Sequence, residues 1–139
     1  MECEGFVVAV AAVIVRDRRV LAMRRARTNE FGAGIWETCS GRLESGEDPL
    51  EAVAREVREE TALEVRIERR PVDAYVMRRG ESPLLVMVYR ADWIAGEVRL
   101  SEEHDAYAWW TLLEIETSPM PERLAHAVRR ALDADPKGR

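Results

Sequence analysis

The chain has 139 residues, 47% of them apolar and 34% charged, with a formal net charge of -5. That length fits a single domain over 1–139 with a real core, and the composition excludes a disordered chain. The acidic balance argues against a nucleic-acid polymer as partner, because neutralising a phosphate backbone needs a basic face.

No run of about 18 apolar residues occurs, so no segment reads as a membrane span. Residues 6–15 are apolar, but they are too short for a span and lack the basic start of a signal peptide. Cys3 and Cys39 make neither a disulfide framework nor a zinc site. They read as two reduced thiols in the cytoplasm. The basic residues are Arg apart from Lys137, Asn29 is the only Asn, and Gln is absent. Such a pattern suits a thermophile and a GC-rich genome equally.

In chain order, 6–15 and 20–24 read as two strands joined by a charged turn at 16–19. Residues 27–34 form a loop with two glycines, 36–39 a short apolar segment, and 40–47 a second glycine-containing loop. A helix follows. Asp48 is a natural N-cap, Pro49 suits the first helical position, and Glu51 completes a capping box. Leu50, Val53, Ala54 and Val57 make its apolar stripe, and it should end near Thr61 and Ala62. Residues 63–69, 74–78 and 84–92 read as strands, with Gly80 and Pro83 marking the turn between the last two. Residues 97–100 and 106–110 read as two more short strands, and 121–132 as a closing amphipathic helix. Strands on both sides of a central helix, plus a terminal helix, predict an α/β (α+β) chain with a mixed sheet sandwiched by helices.

The informative segment is Arg55-Glu56-Val57-Arg58-Glu59-Glu60. At about 100° per residue, the three glutamates share an arc beside the apolar stripe. Like charges at these spacings destabilise a helix by a few tenths of a kcal/mol per pair, so compensation is expected. Arg55 and Arg58 supply part of it. A hard divalent cation, Mg²⁺ or Mn²⁺, would supply more, since three carboxylates without His or Cys suit such an ion. A solvated, charge-laced helix face is the plainer alternative.

The surroundings of this segment change that balance. Gly41, then Glu47, then the Arg55–Glu60 run ending at Leu63 resemble the Nudix box. That pattern is glycine, five residues, Glu, seven residues, then Arg-Glu-aliphatic-x-Glu-Glu-x-Gly-aliphatic. Ala62 replaces the last glycine, and Cys39-Ser40-Gly41 stands where relatives often carry Pro-Gly-Gly. The resemblance implies a Nudix-like α/β/α sandwich and a hydrolase that splits a diphosphate linkage by water attack on phosphorus. Glu56, Glu59 and Glu60 would hold the metal, joined by the backbone carbonyl of Ser40 or Gly41. Arg55 and Glu47 would pair and orient the site. Glu56 and Glu103 are the two candidates for the base. Arg25 aligns with a phosphate-contacting arginine of the nucleotide-sanitising branch, and Arg42 is placed to reach a phosphate. His104 and His126 are given surface or packing roles.

The implied partner is a small nucleotide or nucleoside diphosphate derivative, with no nucleic-acid polymer and no membrane; a homodimer stays open. Two other functions compete. One is an isopentenyl-diphosphate isomerase-like enzyme, loosely suggested by Trp36-Glu37-Thr38-Cys39, although Cys39 is one residue out of register for it. The other is a regulator that binds nucleotides without catalysis. The signatures of the ADP-ribose and coenzyme A branches are missing, and so is a late asparagine for reading oxidised guanine. By elimination, the expected substrate is a nucleoside di- or triphosphate without strong guanine selectivity.

Overall fold

The computed structural model describes residues 5–28 and 32–134. Cys3, Asn29 and Lys137 lie outside the described residues. Strand β1 (Val7–Arg16) turns into β2 (Arg19–Arg25) through Asp17 and Arg18, which both have positive φ, at 51° and 63°. A two-residue hairpin needs that left-handed pair so that its twist matches the strands. Then come β3 (Trp36–Glu37), β4 (Cys39–Arg42), α1 (Pro49–Thr61), β5 (Glu64–Ile67) and β6 (Asp73–Arg79). The chain closes with β7 (Ser82–Ala95), β8 (His104–Trp110), α2 (Leu112–Thr117) and α3 (Glu122–Asp133).

All eight strands form one mixed sheet. β1 lies at its centre, antiparallel to β2 and β4 and parallel to β7 from Val7↔Leu84 to Val15↔Asp92. β7 pairs along its first half with β6 and along its second half with β5. β2 carries β3 and β8.

Helices cover both faces, which explains why β1 reads as an unbroken apolar run instead of an alternating one. Ala9, Ala11, Val13 and Val15 pack with Ile115 of α2 and Leu124, Ala127 and Val128 of α3. Val10, Ala12 and Ile14 pack with Ala52, Val53 and Val57 of α1. The expected α/β/α sandwich is the observed architecture.

Two local expectations need correction, and one helix has no counterpart among them. Residues 97–100 form no strand; Arg99 N–H bonds the Thr61 carbonyl at 2.9 Å, while Val98 and Leu100 lean on the α1-side core. Ser40, Gly41 and Arg42 belong to strand β4, not to a loop, because β1 supplies a paired edge. Helix α2 went unread, although Thr111 and Glu114 make the same capping box that announces α1.

Candidate active site

Helix α1 places the carboxylates. Asp48 accepts from the Glu51 N–H at 3.1 Å, Glu51 returns the bond to the Asp48 N–H at 3.1 Å, and Pro49 follows the cap. At the other end, Ala62 adopts the left-handed conformation at φ 61°, the conformation that favours the family's glycine. Between these ends, Ala52, Val53 and Val57 face the sheet, and Glu60 is carried to the same buried side. Strand β4 lies against that side. The Ser40 N–H donates to Glu60 Oε1 at 3.1 Å. The Glu56 carboxyl occupies the space a Cβ on Gly41 would need.

Glu60 is only 2% exposed. Burial raises its pKa well above the carboxylate range, reinforced by a hydrogen bond with Glu103 and by the charge of Glu56. Glu56 is raised mainly by burial, and Glu59 and Glu103 add to the effect against the opposing pull of Arg55. Burial also pushes the Cys39 thiol well up, helped by Glu60. Cys39 is therefore a buried thiol against Glu60.

Arg55 is the hub on the open side. It grips Glu47 bidentately at 2.7 and 2.9 Å and bonds Glu56 at 2.7 Å, Glu59 at 2.9 Å and the Arg42 carbonyl at 3.1 Å. The grip of Arg55, and then a backbone bond with Glu44, lowers the Glu47 pKa to about 2. The expected Arg55–Glu47 pairing is present. The three helix glutamates are not equivalent. Glu60 hydrogen-bonds Glu103, and the charge of Glu103 bears on Glu56, whereas the Glu59 side chain is 54% exposed and turned to Arg55. Among the described residues, no three His, Cys, Asp or Glu are gathered as a group able to hold an ion.

A cleft of about 670 Å³ opens beside these groups, lined by Gly41, Glu103, Arg25, Arg42, Arg79 and Tyr75, with Glu37 and Thr38 in its wall. Arg25 bonds Glu37 at 3.0 Å. Burial lowers the Arg79 pKa, and the positive charges of Arg25 and Arg42 lower it further against the pull of Glu37. Arginines therefore crowd the cleft, and Glu56 and Glu60 lie beside its lining residues Gly41 and Glu103.

Arg79, Glu37 and His104 were not read as site residues from sequence. Arg79 is one of two arginines before Gly80, and nothing local tells which faces a cleft. His104 does take a packing role, but a specific one: its Nε2 lies 2.8 Å from Glu37 Oε2. His126 is exposed.

The comparisons with known proteins bear on the family and the fold. The family model described as "NUDIX domain" matches residues 5–133. A "MutT-like protein" of Streptomyces ambofaciens is 37% identical over 129 residues, covering 91% of this chain and 75% of that one. An "8-oxo-dGDP phosphatase" of Danio rerio is 29% identical over 135 residues, covering 94% of this chain but 38% of that protein. A solved MutT protein from Methanosarcina mazei Go1 superposes with TM-score 0.84 at 26% identity, covering 96% of this chain and 97% of that one. Motif, architecture and relatives converge, and the chain belongs to the NUDIX family of hydrolases.

Proposed function

We propose that residues 1–139 form one domain that hydrolyses the diphosphate linkage of a nucleoside di- or triphosphate with the help of Mg²⁺ or Mn²⁺. The observation that carries this reading is the adjacency of two charged sets. The crowded carboxylates Glu56 and Glu60 stand beside Gly41 and Glu103, which line a cleft that Arg25, Arg42 and Arg79 also line. A polyphosphate needs the arginines, and crowded carboxylates fit a hard cation. Glu56 and Glu60 would hold that cation with the Gly41 carbonyl, and Glu59 is the further donor that Arg55 now engages. When bound, the ion lowers the pKa of a nearby water and offsets phosphate charge.

The chain's own residues do the rest. Arg25, Arg42 and Arg79 bind the phosphate oxygens and orient the chain of phosphates in the cleft. Arg55, itself fixed by Glu47, holds Glu56 and Glu59 in place. Glu103 takes a proton from the attacking water. The water oxygen then bonds to phosphorus as the P–O bond to the bridging oxygen breaks, and the leaving phosphate or diphosphate carries away the electron pair.

The isomerase-like alternative needs a thiol at the substrate. Cys39 is 1% exposed, turned to Glu60, and does not line the cleft. A buried thiol of this kind suits a reducing compartment, so a cytoplasmic location is part of the reading. Among the described residues no helix is long and apolar enough to cross a membrane.

The test is phosphate and diphosphate release from a nucleotide panel, with and without a chelator. Turnover should require Mg²⁺ or Mn²⁺, and full activity in EDTA would overturn the metal assignment. The panel also decides selectivity. No late asparagine is available to pair with a purine edge, so oxidised dGTP should not be strongly preferred over dGTP. A preference above about a hundredfold, equal to roughly 2.7 kcal/mol, would overturn that expectation.

A further inference from the structure

Glu37 Oε2 accepts two bonds at once. Arg25 Nη1 donates from 3.0 Å, and His104 Nε2 lies at 2.8 Å. Glu37 is 8% exposed and His104 4%. A carboxylate this deep is stable only when paired, so the three side chains form one unit tying β2, β3 and β8 together. Only two of them reach the cleft: Arg25 and Glu37 line it, while His104 stands behind the wall. The residue before His104 is Glu103, which does line it.

The backbone around Glu103 is held on both sides. Its carbonyl accepts from the Ala26 N–H at 2.9 Å, and its own N–H donates to Ser101 Oγ at 3.3 Å. Here the β2–β8 ladder slips, with a register shift between Arg24 and Arg25, so that Arg25 pairs with His104. Bulges of this kind re-aim a side chain beside an active site. The bulge sets Glu103 beside Glu60, and the His104 N–H bonds the Ser101 carbonyl at 3.4 Å. The His104–Glu37 bond adds a side-chain tie to these backbone bonds at the residue next to Glu103. Since a carboxylate only accepts, Nε2 carries the hydrogen. Nδ1 is buried without a hydrogen-bond partner, so the ring has a single anchor among the described residues, and that anchor is Glu37.

We propose that His104, latched by its Nε2–H to the Arg25-anchored Glu37, is a positioning residue that sets the Glu103 carboxylate against the reacting water. This rests on the reading of Glu103 as the base. It assigns to Glu37 a structural task at the cleft wall, since both hydrogen bonds already occupy its inner oxygen.

The experiment is a mutant cycle read in steady-state turnover of the best nucleotide, with four variants: Glu103→Gln, His104→Gln, His104→Asn and the double variant Glu103→Gln/His104→Asn. The glutamine amide nitrogen is as many bonds from Cβ as Nε2 is, so it can still donate to Glu37, whereas asparagine falls one bond short. Both replacements are polar amides, so burial chemistry is matched. His104→Asn should lower kcat at least about tenfold with KM within about threefold, and His104→Gln should stay within about threefold of wild type. In the Glu103→Gln background, His104→Asn should cost less than about twofold, because its target is already gone. A merely structural histidine would slow both backgrounds equally, and that outcome overturns the latch. So does a His104→Asn variant with wild-type kcat, or one that His104→Gln matches. Should His104→Asn fail to fold, the same cycle run with His104→Gln must still show normal turnover, or the latch is wrong. Glu103→Gln at wild-type rate would instead remove the base assignment, and with it the role given to His104.

Discussion

Gly41 has no side chain because the Glu56 carboxyl stands where its Cβ would go. The obstacle is the far end of a side chain, so Gly41→Ala can be accommodated if Glu56 moves. Stability should then fall only modestly, by about 1 kcal/mol. Turnover should fall at least about a hundredfold, because the displaced carboxylate is one the reaction needs. Equal melting temperature with wild-type turnover would show that the close approach of β4 to α1 has no functional purpose. Gly41 and Glu56 were readable from sequence because spacing along one helix and one motif carries them. Glu37 and His104 were not. Sixty-seven positions separate them, and only the placement of β3 and β8 on opposite edges of β2 brings them together. Arg79 stayed hidden for a related reason, since the facing of a residue on an edge strand depends on register that local composition does not encode.

At the scale of elements, α1 was legible because cap, stripe and length agree, and even its end was foreseen at Ala62, where the left-handed turn appears. Helix α2 has the same cap chemistry in Thr111 and Glu114 but spans six residues, too few to display a helical period. Residues 97–100 alternate as a strand should, yet the Arg99 N–H bonds the Thr61 carbonyl at the end of α1 and pairs with none of the described strands. The function of α1 can be tested apart from its folding. Glu59→Gln and Glu60→Gln preserve size and helix propensity while each removes a carboxyl group from a crowded arc. Burial and its carboxylate neighbours already favour the protonated form of Glu60, so glutamine should leave the metal-free protein no less stable. Added Mg²⁺ should raise the melting temperature of wild type more than that of either variant, since a ligand stabilises the state that binds it. Turnover should drop by several orders of magnitude. Variants that keep both the Mg²⁺ shift and the turnover would reduce this helix face to a solvated charge pattern.

Across the whole molecule, the cleft depends on how α3 is fastened to the edge of the sheet. Asp73, at the start of β6, has a side chain only 3% exposed. It accepts two bonds from Arg123, at 2.6 and 3.0 Å, and one from Arg130 at 3.3 Å. Both arginines come from α3, and Arg123 also stacks 4.4 Å over the Tyr75 ring that lines the cleft. The Arg123 bonds lower the Asp73 pKa below its ordinary 3.8. A carboxyl whose folded pKa is depressed stabilises the fold at every pH above its unfolded value, and that contribution is lost as pH falls through the folded value. Asp73→Asn should therefore destabilise the protein near neutrality by about 1.5–3 kcal/mol, the usual worth of hydrogen bonds to a charged group. The difference between wild type and variant should be constant above about pH 5 and should shrink as the pH is lowered below 3.8. Denaturant unfolding of both proteins at a series of pH values from neutrality downward measures this directly. Other depressed carboxylates, Glu47 among them, titrate in the same acid range, but they are common to both proteins and cancel in the difference. A gap that stays constant through the acid limb would mean that Asp73 fastens α3 by shape alone, and that its charge contributes nothing to holding the cleft wall in place.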